Sequence, residues 1–186
     1  TPNILQPTQM LDAEIEVLPD APKLLRSRQR VRIHIGTIEA LARIQVVNEM
    51  GEIAVGETEL AQLRLETPVL AVPGERFIVR SYSPQVTIAG GTVIDAFAEK
   101  HRRKEIEIVR QHLQELLLAS DDYSEKVKLF LKAAGASGLS FGDLQARIAL
   151  RKEILTTAVE ANITAGSIVE ARGRYVSSIE FEQMSS

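Results

Sequence analysis

The stretch "RSYSPQVTIAGGTVID", residues 80–95, contains a Val/Thr/Ile strand with two glycines, Gly90 and Gly91, at its centre. A glycine inside a strand has no side chain to pack and loses more backbone freedom on folding than any other residue. Two in a row make sense where the sheet bends sharply, as at a barrel corner. They also make sense where another chain lies against bare backbone. The first reading makes this strand part of a closed wall, and the second makes it a docking surface.

Working outward, the neighbouring segments alternate with period two. "LDAEIEVLPD" (11–20) sets Ala13, Ile15 and Val17 on one face and Asp12, Glu14 and Glu16 on the other. "VRIHIGT" (31–37) points Val31, Ile33 and Ile35 one way and Arg32 and His34 the other. In "ALARIQVV" (40–47) the apolar set runs Leu41, Ile44, Val46, an offset that predicts a bulge or irregular packing. "AQLRLETPVLAV" (61–72) turns Leu63 and Leu65 inward until Pro68 is expected to interrupt it. "ERFIVRSY" (75–82) and "VTIAGGTVIDAF" (86–97) complete six strand candidates, punctuated by Gly51, Gly56, Pro73–Gly74 and Pro84. Six short strands with no helix among them predict a small antiparallel barrel or sandwich, and the bend reading of the glycines suits a barrel corner.

Near residue 98 the period changes. "AEKHRRKEIEIVRQHLQELLLA" (98–119) carries Ile106, Val109, Leu113 and Leu116/Leu117 as a helical stripe. A second helix starts at Asp122, with Glu125 in its first turn, and ends at "GASG" (135–138). Ser140 and Asp143 form a capping pair for a third, and "RKEILTTAVEAN" (151–162) is a fourth. "SIVEAR" and "RYVSSIEF" then read as a hairpin around Gly173. That order is a winged helix. The expected architecture is multidomain: an all-β six-stranded antiparallel barrel over residues 1–97, then a mainly helical winged-helix domain with a leading helix over 98–186.

Net charge is -3, so composition gives no global basic field and any nucleic-acid contact must be a local patch. Cys is absent, which removes disulfides and thiolate metal sites and is compatible with a reducing compartment. With no apolar run long enough to span a bilayer and no secretory pattern, the expectation is a cytoplasmic protein without membrane contact. "TPNILQPTQ" (1–9) reads as linker, suggesting a piece of something longer. His34, His101 and His112 form no metal-ligating spacing, and no phosphate-binding glycine loop or GxSxG nucleophile motif occurs. No catalytic residue, metal or cofactor is therefore assigned to this stretch.

The basic run "KLLRSRQRVR" (23–32) is either a solvated arm or a phosphate contact. "HRRK" (101–104) puts positive charge at a helix start, against the dipole, which hints at some other use. Arg32, Arg43 and Arg80 project from strand faces, and Gly90–Gly91 near Arg80 would make a flat, slightly basic backbone surface. Residues 99–186 carry 13 basic and 13 acidic side chains, so the second domain is neutral. Arg172 and Arg174 at the wing are balanced by Glu170. A spacer or protein contact is favoured there over a nucleic-acid reader, and no DNA partner is expected.

"RQRVRIHIGTIEALARI" and "GETELAQLRLETPVLAVPGERFIVRSYSPQVTIAGGTVID" together resemble the third, barrel domain of translation GTPases of the elongation factor Tu class. The flavour is similar to the bacterial selenocysteine-specific elongation factors. The patterns "HIGTIEALARI" (34–44), "QLRLETPV" (62–69), "PGERFIVR" (73–80) and "SPQVTIAGGTVID" (83–95) occur in the family's order. The second half resembles the first winged-helix unit after that barrel. The resemblance implies a parent protein that binds GTP and magnesium and delivers selenocysteinyl-tRNA to the ribosome. Further C-terminal winged-helix units would hold an mRNA hairpin. It implies that Arg80, Thr87, Gly90 and Gly91 face the tRNA backbone; Arg32 and Arg43 are further phosphate-contact candidates by their outward projection. His34, Gly36 and Thr37 fall at a domain contact or the tRNA edge. Arg102, Arg103, Lys104, Arg172 and Arg174 are weaker RNA-contact candidates. The nucleotide-binding domain and second barrel lie outside this stretch, which is expected neither to hydrolyse GTP nor to read the hairpin. The competing reading is a structural or protein-interaction module without RNA binding.

Overall fold

The computed structural model describes residues 6–185. Their contacts form two compact units, one ending at Leu113 and the other beginning at Gln114, later in the chain than the change of period at residue 98.

In the first unit the strands are β1 (Thr8–Val17), β2 (Leu25–Arg26), β3 (Arg30–Ile35), β4 (Ile38–Val46), β5 (Glu52–Ile53), β6 (Thr58–Val69), β7 (Arg76–Ser81) and β8 (Thr87–Asp95). Six of them close an antiparallel barrel in the order β1-β6-β4-β3-β7-β8, while β2 pairs with β5 in a separate ribbon. Closure follows from the alternation. Leu11, Ala13, Ile15 and Val17 of β1 meet Val31, Ile33 and Ile35 of β3 and Leu63 and Leu65 of β6 in one continuous core. Every barrel strand has two hydrogen-bonded neighbours, so no open edge is left for another strand to join.

Two expectations about the barrel are corrected. The apolar offset in β4 is not a bulge: Ala40, Ala42, Ile44 and Val46 all point inward, and Leu41 lies half-buried on the outer face opposite Arg32. The inward alanines, small enough for the crowded interior, had the look of breaks in the pattern. Pro68 does not end its strand, because β6 runs on to Val69. The proline falls where the β1–β6 register shifts, between the Met10–Arg64 and Thr8–Val69 pairs, so its missing donor interrupts no regular ladder.

A short 3₁₀ turn (Arg103–Glu105) leads into α1 (Ile106–Ala119). A hydrogen bond from an imidazole to a carboxyl group and one ion pair hold this segment to the barrel. His101 Nε2 is 2.8 Å from Asp12, and the Arg110 fork reaches Glu59 at 2.6 and 3.1 Å while also donating to the Val47 carbonyl. Burial alone would raise the Glu59 carboxyl, but the Arg110 guanidinium and the Leu60 N–H outweigh it and hold the group below the usual carboxylate range. A depressed folded pKa stabilises at neutral pH, and that stability is lost as pH falls through the folded value. Arg110→Gln is therefore expected to lower unfolding free energy by about 1–2 kcal/mol at pH 7. The loss should shrink in acid, and urea melts across pH check both.

In the second unit α2 (Tyr123–Ala134), α3 (Phe141–Ile148), α4 (Lys152–Ala165) and the hairpin β9 (Ile168–Ala171) with β10 (Arg174–Ser177) give the winged-helix order, but the second hairpin strand, expected to run through Phe181, ends at Ser177, where α5 (Ser178–Ser185) begins. Asp122 accepts from Glu125 N at 3.1 Å, and Ser140 and Asp143 form a reciprocal capping box. Phe130, Leu131, Leu144 and Leu155 fill the centre. Buried Asn162 donates to Ser124 O and Ala158 O, tying α4 to α2. The hairpin turns through Arg172 and Gly173, both at positive φ, as two-residue hairpins require.

Candidate nucleic-acid interface

Side chains between the core positions of a barrel strand must point outward, and register decides which of them become neighbours. Here it aligns arginines. Arg30 of β3 lies opposite Arg43 of β4, Arg43 opposite Arg64 of β6, and Arg32 opposite Arg80 of β7. Like charges placed side by side repel, so this face needs counter-groups. Arg30 makes a two-pronged contact with Glu66, both bonds 2.9 Å, and holds that carboxyl below its usual range. Arg32 meets Glu39 at 3.1 Å and donates to the Tyr82 carbonyl. The exposed Tyr82 ring lies under both guanidiniums, 4.8 Å from Arg30 and 5.1 Å from Arg32.

Arg80 donates to Gln85 O, and its Nε is buried without a partner among the described residues. Thr87 is exposed opposite Arg80. Arg43 donates to Arg28 O. The face thus carries Arg30, Arg32, Arg43, Arg64 and Arg80 against Glu39 and Glu66. Two of the five guanidiniums, Arg30 and Arg32, are thus paired with carboxylates and held over an aromatic ring.

The glycines part company. Gly91 pairs with Phe77 and Ile15, both core residues, so it faces the interior. A Cβ there would lie 2.7 Å from Phe77 Cε2, closer still to Cζ, and 2.8 Å from the Glu14 carbonyl. Gly90 faces outward between Glu16 and Ile78, and a Cβ there would meet only Phe77 O, at 3.7 Å. Its surroundings are a groove lined by Glu14, Glu16, His34, Gly36, Arg76 and Ile78. Arg80 does not line that groove. His34 Nε2 stands 3.7 Å from Glu39, and Thr37 is exposed at the β3–β4 turn.

The other candidates scatter. Arg102, Arg103 and Lys104 are exposed ahead of α1. Arg172 is exposed at the wing turn, whereas Arg174 donates to Ser137 O and Gly138 O and so braces its own unit. Among the described residues no three His, Asp or Glu are grouped to hold a metal ion, and no helix is long and apolar enough to cross a membrane.

Asp12 is the residue the pattern concealed. It sits on the polar face of β1 yet is 2% exposed, because the chain after β8 folds over it. His101 Nε2 contacts both its oxygens at 2.8 Å, Gln62 donates to it at 3.0 Å and to Glu99 O at 2.8 Å, and Gln62 in turn accepts from His101 N. Burial pushes the Asp12 carboxyl above the usual range. His101 and Gln62 pull it back and nearby Asp95 adds to the rise.

Comparison with known proteins points one way. Residues 12–100 match the family described as selenocysteine-specific elongation factor, beta-barrel domain. The selenocysteine-specific elongation factor of Desulfomicrobium baculatum is 32% identical over 165 residues, 86% of this chain and 24% of that protein. The crystal structure of a bacterial selenocysteine-specific elongation factor shares the fold, with a TM-score of 0.65 at 17% identity, over 98% of this chain and 26% of that one. Both matches extend past the barrel into the helical unit. The chain spans about a quarter of the length of these proteins.

Proposed function

We propose that this chain is the barrel and adjoining winged-helix portion of a cytoplasmic selenocysteine-specific elongation factor, and that its arginine face holds the sugar-phosphate backbone of selenocysteinyl-tRNA. The observation that carries the reading is the alignment of Arg30, Arg43 and Arg64 beside Arg32 and Arg80, with Tyr82 under the first row's end, inside the stretch that matches the family. A-form RNA is gripped mainly through phosphates and 2′-hydroxyls, which suits a fixed array of guanidiniums better than base-reading side chains. On this reading GTP, magnesium and the ribosome engage the wider protein. The neutral winged helix links toward units that hold the mRNA hairpin.

The groove beside Gly90 supports a different role. It mixes Glu14 and Glu16 with Arg76 and the half-exposed Ile78, a composition suited to protein packing, so His34, Gly36 and Thr37 are proposed to face the GTPase domain.

The test is tRNA binding by fluorescence anisotropy across a salt series. Arg32→Glu and Arg80→Glu are each expected to weaken binding about tenfold or more. Each should also lower the salt slope by about 1. Unchanged affinity in both variants, or binding indifferent to salt, would leave the protein-interaction module as the better account.

A further inference from the structure

Two basic runs that lie far apart in the chain meet in space. Arg26 of β2 and Arg28 of the turn after it line one cleft together with Arg102 and Arg103 of the segment before α1. We infer that this cleft binds the phosphate chain of RNA, extending the arginine face around the end of the barrel. The inference rests on the RNA-binding reading above for the class of polymer, and on its own geometry for the site.

Charge is the first argument. Arg26 is 3.4 Å from Glu52, with most of its side chain in solvent, and Glu49 is the other acid lining the cleft. Arg28, Arg102 and Arg103 have no carboxylate within ion-pair distance among the described residues, so the cleft keeps an excess of positive charge.

The backbone is the second. Arg28 sits at φ 74, a region that glycine or asparagine occupies with far less strain. Its conformation is over-determined: Arg28 N donates to Ile44 O, and its carbonyl accepts from Arg43. An arginine maintained where glycine would relieve strain argues for use of the side chain.

The segment before α1 is fixed too. The contact of His101 with buried Asp12 sets where Arg102 and Arg103 begin. Their charges precede the positive end of α1, an arrangement unfavourable until an anion arrives.

Continuity selects a polymer over a small anion. The bond from Arg43 to the Arg28 carbonyl joins the cleft to the Arg30–Arg43–Arg64 row, so the cations form a stripe rather than a point.

The experiment uses the whole chain with a fluorescein-labelled RNA duplex, comparing wild type, the triple variant Arg28→Gln/Arg102→Gln/Arg103→Gln, and the face variant Arg32→Gln/Arg80→Gln. All three cleft side chains are exposed, and melting curves verify that folding is intact. The triple variant is expected to raise Kd about tenfold or more and reduce the salt slope by about 2–3. If it leaves both unchanged while the face variant raises Kd and lowers the salt slope, the cleft inference falls and the arginine-face reading stands. If only the triple variant loses affinity, the reverse holds. Wild type that fails to bind the duplex overturns both. A phosphoserine peptide that displaces the RNA at equal concentration overturns the choice of RNA.

Discussion

Gly91→Ala is expected to lower the stability of the barrel by roughly 3 kcal/mol, at the upper end of what overpacking costs, while Gly90→Ala leaves it unchanged or slightly raised. The added methyl at position 91 would enter space held by the Phe77 ring, 2.7 Å from Cε2, and would press on the Glu14 carbonyl at 2.8 Å. Neither neighbour can yield easily. Phe77 is 3% exposed inside a closed wall, and the Glu14 carbonyl belongs to the β1 ladder. At position 90 the nearest atom is 3.7 Å away, so the smaller entropy of the unfolded alanine chain prevails, worth about 0.4–1 kcal/mol. Urea denaturation of both variants is the check. Phe77→Leu introduced with Gly91→Ala should restore part of the loss, because it frees the ring's volume but not the carbonyl contact. Equal midpoints for the two glycine variants would show that the ring does not occupy the missing side chain's place.

That contrast answers the question raised by the paired glycines, and it marks what local pattern can and cannot reveal. Period-two alternation identified the strands and their inward faces because one-sided burial imposes it on every barrel strand. It misread β4, where inward Ala40 and Ala42 carry little hydrophobic signal and outward Leu41 carries a strong one. Helix caps were legible at Asp122 and Ser140 because capping is settled within four residues. The arginine rows were only partly legible. Outward projection of Arg32, Arg43 and Arg80 follows from alternation, but the meeting of Arg30, Arg43 and Arg64 depends on the register of three strands. Register is set by the whole barrel. The same holds for the meeting of Arg28 with Arg102 and Arg103. Asp12 was hidden for a related reason: its own strand presents it as solvent-facing, and only the chain after β8 covers it.

The covered carboxylate sets the second large effect. Asp12→Ala would leave the Gln62 amide and the His101 ring nitrogen buried beside an apolar methyl, and breaking a buried pair in this way costs about 3–5 kcal/mol. The loss should concentrate where the segment before α1 meets the barrel, so amide exchange should rise at residues 99–105 before the strands open. Asp12→Asn keeps the shape and an acceptor, and its comparison with wild type isolates the charge. The folded carboxyl is raised above its unfolded value, chiefly by burial, so over the intervening pH range the folded state retains a proton that the unfolded chain has released. Its contribution is complete below the ordinary carboxylate range and declines as pH rises through the folded value. The stability of wild type relative to Asp12→Asn is therefore expected to fall as pH rises above the ordinary carboxylate range. A difference flat across that rise would mean that water reaches Asp12 freely. In that case the contact with His101 would be an ordinary surface pair, too weak to fix the wall of the basic cleft that begins one residue later.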